Sequence, residues 1–100
     1  MNAESGSQLR ATLHAETGKV AWHELERFFA GGSAIYVSRE LDLVEVGMCL
    51  SKDQSKVLSD WMEQGKVVAV TDEQALAWHE SDALVWALVI KPFVLVQPQA

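Results

Sequence analysis

The chain has one cysteine, Cys49, which excludes an internal disulfide and any paired-cysteine zinc or redox motif. Cys49 stands in an apolar run and reads as a small core residue. Basic patches are also missing. No two of the eight basic residues, which run from Arg10 to Lys91, are adjacent, and fourteen acidic residues leave a net charge of −6. That argues against nucleic-acid binding, which needs clustered cations to displace counterions from phosphate. It argues equally against binding an anionic membrane surface. The greasiest stretch, Ala83 to Val96, contains Lys91 and Pro92 and is too short to span a bilayer as a helix. The first residues lack the basic and apolar blocks of a signal peptide. There is no Gly-x-Ser-x-Gly elbow for a nucleophile. The adjacent glycines, Gly31-Gly32, follow a helical pattern and precede a strand pattern, the reverse of a phosphate-cradling loop. The expectation is a soluble, cytoplasmic protein with no cofactor and no membrane contact.

What is present suits a single packed domain. In 100 residues, 49% are hydrophobic and 22% charged, enough to bury a core and too apolar for disorder. Residues 1–8 read as a flexible start and 9–97 as one domain. A domain this small has a high surface-to-volume ratio, so apolar side chains reach its surface, where a homodimer interface would absorb them.

Apolar residues recur at helical spacing from Leu9 to Phe29, which predicts one long helix over about 8–30, closed by Gly31-Gly32. Ala34 to Ser38 reads as a strand. Leu41 to Leu50 fits neither period well and is taken as a buried helix. Ser51 to Gln54 reads as a capping box opening a helix that stops at Gly65, and Thr71 to Gln74 as another opening a helix to about Glu80. Lys66–Val70 and Leu84–Ile90 read as strands. Pro92 marks a bulge, edge or bend, and Phe93–Gln97 continues in extended form. This order predicts an α+β fold: a small three-stranded sheet packed on one face by three to four helices. A tight turn at Ser51–Asp53 between two helices, with Gly47 allowing close crossing, gives the first part a winged-helix-like order.

The residues resemble a bacterial family catalogued as domain of unknown function 2288. The matching stretches are Leu9–Leu13 with Glu16-Thr17, Trp22–Phe29 (WHELERFF), Glu40–Val46, and Gly65–Val67 with Thr71–Gln74 and Trp78. Trp86 and Val94–Gln97 complete them. The order and spacing of these stretches, over about 9–97, carry the resemblance. It implies a small soluble bacterial protein and assigns no activity, cofactor or site residue.

One pattern hints at chemistry. Ala-Trp-His-Glu occurs twice, at residues 21–24 and 77–80, and holds two of the three histidines and two of the four tryptophans. No longer repeat surrounds the copies, so the duplication reads as coincidence. On the long predicted helix, His23 falls on the polar face, whereas His14 and Glu24 fall inside the apolar arc. These two lie about 15 Å apart along a helix axis, too far to share one metal. His79 and Glu80 end a later helix that could lie against the first, so His14, Glu24, His79 and Glu80 form a cross-element candidate site for a ligand or metal. The bland alternative is a satisfied core histidine and a hydrogen-bonded carboxylate.

In the last strand Trp86, Leu88 and Ile90 share one face and Val85, Ala87 and Val89 the other. Both faces are apolar. Either the strand is central, or the Trp86–Leu88–Ile90 face docks on another subunit. The functional expectation is a small non-enzymatic binding or assembly module, self-associating or holding another protein. The alternatives are a metal-binding or enzymatic domain using Glu24 with His14 or His79, and a winged-helix-like regulator with weak nucleic-acid binding.

Overall fold

A computed structural model describes residues 2–99. The elements in order are α1 (Asn2–Glu16), β1 (Gly18–Ala21), a 3₁₀ turn (Trp22–Leu25), α2 (Glu26–Ala30), β2 (Ala34–Val37), α3 (Leu43–Ser51) and α4 (Ser55–Glu63). Then follow β3 (Val67–Ala69), α5 (Asp72–Ser81), β4 (Leu84–Ile90) and β5 (Phe93–Pro98). The strands form one five-stranded sheet in the spatial order β1-β4-β5-β2-β3. Neighbours are antiparallel except β2 and β5, which run parallel.

The fold is α+β, as its sequence pattern implies, but the sheet is larger and covered on both faces. Strand β4 explains why. Its side chains alternate across the sheet, so Val85 and Ala87 enter one core with Trp22, Leu25 and Ala75. Leu88 enters a second core with Leu13, Val46 and Leu95. Helices α1, α3 and α4 cover the second core; the 3₁₀ turn, α2 and α5 cover the first. A strand buried on both faces reads as a continuous apolar run, and that is the source of the greasy C-terminal stretch. Trp22, Leu88 and Leu95 are fully buried, each leucine stabilising the fold by about 1.5–3 kcal/mol.

Several expectations are corrected. The long helix over 8–30 does not form; α1 ends at Glu16. Helix α1 stops at Thr17-Gly18: the Thr17 hydroxyl and amide both donate to the Leu13 carbonyl, at 2.8 and 3.0 Å, and a helix-interior glycine would cost about 1 kcal/mol. Residues 18–21 then pair with β4. The apolar spacing runs through this break because Leu9 and Leu13 serve one core while Val20, Trp22 and Leu25 serve the other. Phe93–Pro98 is a full partner of β4, which makes the sheet five-stranded. The Ser51 capping box is absent: Ser51 ends α3, Asp53 takes the left-handed conformation (φ 57°), and the Gln54 amide closes the turn onto the Cys49 carbonyl at 2.9 Å.

That tight turn joins α3 to α4 as expected, but no winged helix results. Strand β5 pairs parallel with β2, and a five-stranded sheet with helices on both faces replaces a helix pair with a small antiparallel wing. Helix α3 itself matches the expected buried helix, with Asp42 Oδ1 accepting from the Val44 amide at 2.9 Å. The Thr71 capping box is complete, with reciprocal 3.1 Å bonds between Thr71 and Gln74. Gly47 permits the close approach of α3 to the sheet: a Cβ there would sit 2.8 Å from Leu88 Cδ2 and 3.4 Å from Leu13 Cδ1. No helix among the described residues is long and apolar enough to cross a membrane.

Candidate binding surfaces

The four candidate site residues do not converge. His14, on α1, is exposed and borders a shallow depression with Thr17, Asp42, Trp86 and Gln97, on the α1–α3 face of the sheet. Glu24, His79 and Glu80 are exposed on the other face. The helical wheel put Glu24 in an apolar arc, but no helix exists there; the 3₁₀ turn buries Trp22 and Leu25 and leaves His23 and Glu24 in solvent. Among the described residues, no group of three or more His, Cys, Asp or Glu side chains could hold a metal ion.

The two Trp-His-Glu copies nevertheless meet. Trp22 and Trp78 pack edge to face, ring centroids 4.9 Å apart at 69°. Outside them the histidines cross over. His79 Nδ1 lies 2.7 Å from Glu26 Oε2, and His23 Nδ1 lies 3.4 Å from Asp82 Oδ1. Each carboxylate stands three residues beyond the histidine of its own copy, so each copy takes the other's acid. The order His-x-x-acid is visible in both copies, as His23–Glu26 and His79–Asp82, and was the signal available in the sequence. These pairs are exposed, so each stabilises the α5 contact by less than about 1 kcal/mol. The arrangement is a clasp between the 3₁₀ turn and α5.

The proposed interface face of β4 is largely consumed inside the chain. Leu88 is fully buried, and Trp86 and Ile90 are half-buried against the same core. Lys19 Nζ lies 5.2 Å from the Trp86 ring centroid, within cation–π range. The strand is central, which resolves the apolarity of both its faces. Leu84 and Val89 of β4 stay half exposed, and further open apolar surface lies in a groove of about 270 Å³ between α4 and the sheet. Ile35, Leu50, Leu58, Met62, Val67 and Phe93 line it together with Val68 and Ala69. Among the described residues no charged side chain does, and Met62 and Phe93 are 57% and 36% exposed.

Cys49 is buried, and its thiol ionises less readily than usual. Burial pushes its pKa up, the nearby Glu45 charge adds to the rise, and Lys52 offsets part of it. A thiol held protonated is a poor nucleophile and a poor metal ligand.

These features define a small two-core α+β domain whose apolar groove opens beside a sheet edge. The chain belongs to the family described as "Protein of unknown function (DUF2288)", whose model matches residues 8–98. It is similar to PA1075 from Pseudomonas aeruginosa, known from an NMR solution structure, at 37% identity over 94% of this chain and 87% of that one, with a TM-score of 0.82. No curated protein matches it.

Proposed function

We propose that the protein is a small non-enzymatic assembly module that acts through protein–protein contacts, with a second copy of itself as partner. The observation that supports this most is the groove of Ile35, Leu50, Leu58 and Met62, lined among the described residues without a single charge. At a net charge of −6, two copies repel each other, and an uncharged apolar face is where they can meet at least cost. The same patch offers both recess and projection, since Met62 and Phe93 stand out of its rim. A patch that supplies both halves of a contact suits an isologous twofold interface. A single cysteine, with no disulfide possible inside the chain, fits a reducing compartment such as the cytoplasm.

Sedimentation equilibrium at high micromolar concentration tests this reading. A dimeric mass is expected, shifting toward monomer in Met62→Glu, a substitution at a position that is 57% exposed, with the native circular dichroism spectrum retained. A strictly monomeric mass overturns it.

A further inference from the structure

We infer that two copies join edge to edge through β3, antiparallel about a twofold axis at Val68, so that their five-stranded sheets become one. This rests on the proposal that the partner is a second copy.

The hydrogen-bond phase of β3 carries the inference. The Ser38 amide donates to the Lys66 carbonyl at 2.7 Å, and the Val70 amide donates to the Ala34 carbonyl at 3.1 Å. With Tyr36 opposite Val68, these bonds make Lys66, Val68 and Val70 the residues whose backbone groups turn toward β2. In an antiparallel ladder alternate residues turn the other way, so Val67 and Ala69 direct their N–H and C=O groups off the edge of the sheet. Among the described residues, no turn or loop takes up these groups. Two outward-facing residues that flank one inward-facing residue fit a twofold pairing. Val67 of one copy stands opposite Ala69 of the other, Ala69 opposite Val67, and Val68 opposite Val68. Each of the two outer pairs then exchanges both of its N–H···O=C bonds.

Side chains and charges agree with that register. Edge strands are usually protected by lysine, proline or inward charge. The opposite edge of this sheet, β1, carries Lys19, whereas β3 is Val-Val-Ala. A base, Lys66, precedes β3, and Asp72 and Glu73 follow it. Lys66 is held by Glu40 of its own chain at 3.1 Å, so the acidic residues decide: antiparallel pairing keeps Asp72 and Glu73 of the two copies at opposite ends of the joint, whereas parallel pairing would set like against like. Val67 and Ala69 both line the apolar groove. The same twofold therefore lays the two grooves side by side, with a Met62 from each copy beside the joint.

Amide hydrogen exchange on the full chain, followed by NMR at low and high micromolar concentration, tests the register. The Val67 and Ala69 amides should exchange freely when dilute and slow at least tenfold when concentrated. The Val68 amide, bonded to β2, should be slow at both. Ala69→Pro removes an outward N–H that makes no bond among the described residues, and should weaken dimerisation at least tenfold without loss of the native amide spectrum. A dimeric mass with Val67 and Ala69 still exchanging freely overturns edge pairing and leaves the groove assembly standing. A monomeric mass at high concentration overturns both.

Discussion

Trp22 and Trp78 meet edge to face at 4.9 Å, and this contact turns the duplicated tetrapeptide into a joint between two distant segments. Trp22 has no exposed surface and sits among Leu25, Ala75 and Val85, while Trp78 packs on it from α5, half-buried. The two should differ in cost. Trp22→Ala opens a cavity at the centre of one core and should lose about 3–5 kcal/mol. Trp78→Ala should lose less, because solvent and neighbouring side chains can fill its place. Trp22→Phe should be milder than Trp22→Ala for a second reason. The buried Trp22 Nε1 has no hydrogen-bond partner among the described residues, and an unmet buried donor costs about 1–3 kcal/mol, which phenylalanine removes. Urea unfolding followed by far-ultraviolet circular dichroism gives the ranking.

The crossed histidine pairs should be weak and unequal. His79 to Glu26 spans 2.7 Å with Glu26 36% exposed, whereas His23 to Asp82 spans 3.4 Å with Asp82 81% exposed. A double-mutant cycle of His79→Ala with Glu26→Gln should return a coupling of about 0.2–1 kcal/mol. The cycle of His23→Ala with Asp82→Asn should return less. Both couplings should shrink at about 1 M salt, where the screening length falls to a few ångströms. Equal couplings insensitive to salt would show that the clasp is not electrostatic.

Much of the fold was legible from local pattern, and what was not depended on distant pairing. Leu84–Ile90 read correctly as a strand because apolar residues fill both of its faces. The Thr71–Gln74 box read correctly because its two bonds close within four residues. Strand β1 did not, because Val20, Trp22 and Leu25 continue the helical spacing of Leu9 and Leu13 although they face a different core. Only the pairing of residues 18–21 with 84–87 separates the two interpretations, and that contact is invisible locally. Glu24 was misplaced for the same reason: its supposed apolar face belonged to a helix that does not form. The groove escaped notice because its lining comes from β2, α3, α4, β3 and β5, five segments whose convergence no spacing encodes.

Gly47 gives a sharper test of the packing between α3 and β4. Alanine is the better helix former by about 1 kcal/mol, so at an open site Gly47→Ala would stabilise. Here the new methyl would stand 2.8 Å from Leu88 Cδ2, and Leu88 is fully buried with little room to yield. Overpacking of this kind costs about 1–3 kcal/mol. The net result should be destabilisation of about 1 kcal/mol, read from the urea midpoint. Gly47→Ala combined with Leu88→Val, which pulls back the clashing methyl, should cost less than the sum of the two single changes.

Cys49 should make the protein less stable in alkali. In the unfolded chain its thiol ionises in the ordinary range, whereas in the fold burial and the Glu45 charge hold it protonated to higher pH. Between the two values the folded state binds more protons than the unfolded state, and stability then falls as pH rises. Below the ordinary thiol range both states are protonated and the residue contributes no pH dependence. Stability in alkali has other contributions, so the informative quantity is a difference between proteins. The gap in urea midpoint between the native chain and Cys49→Ala should be constant from about pH 6 to 8 and narrow above the ordinary thiol range. The same protonation predicts slow alkylation of Cys49 by iodoacetamide in the folded protein and fast alkylation once urea unfolds it. Rapid modification of the folded chain at neutral pH would mean that the thiol is neither buried nor held protonated.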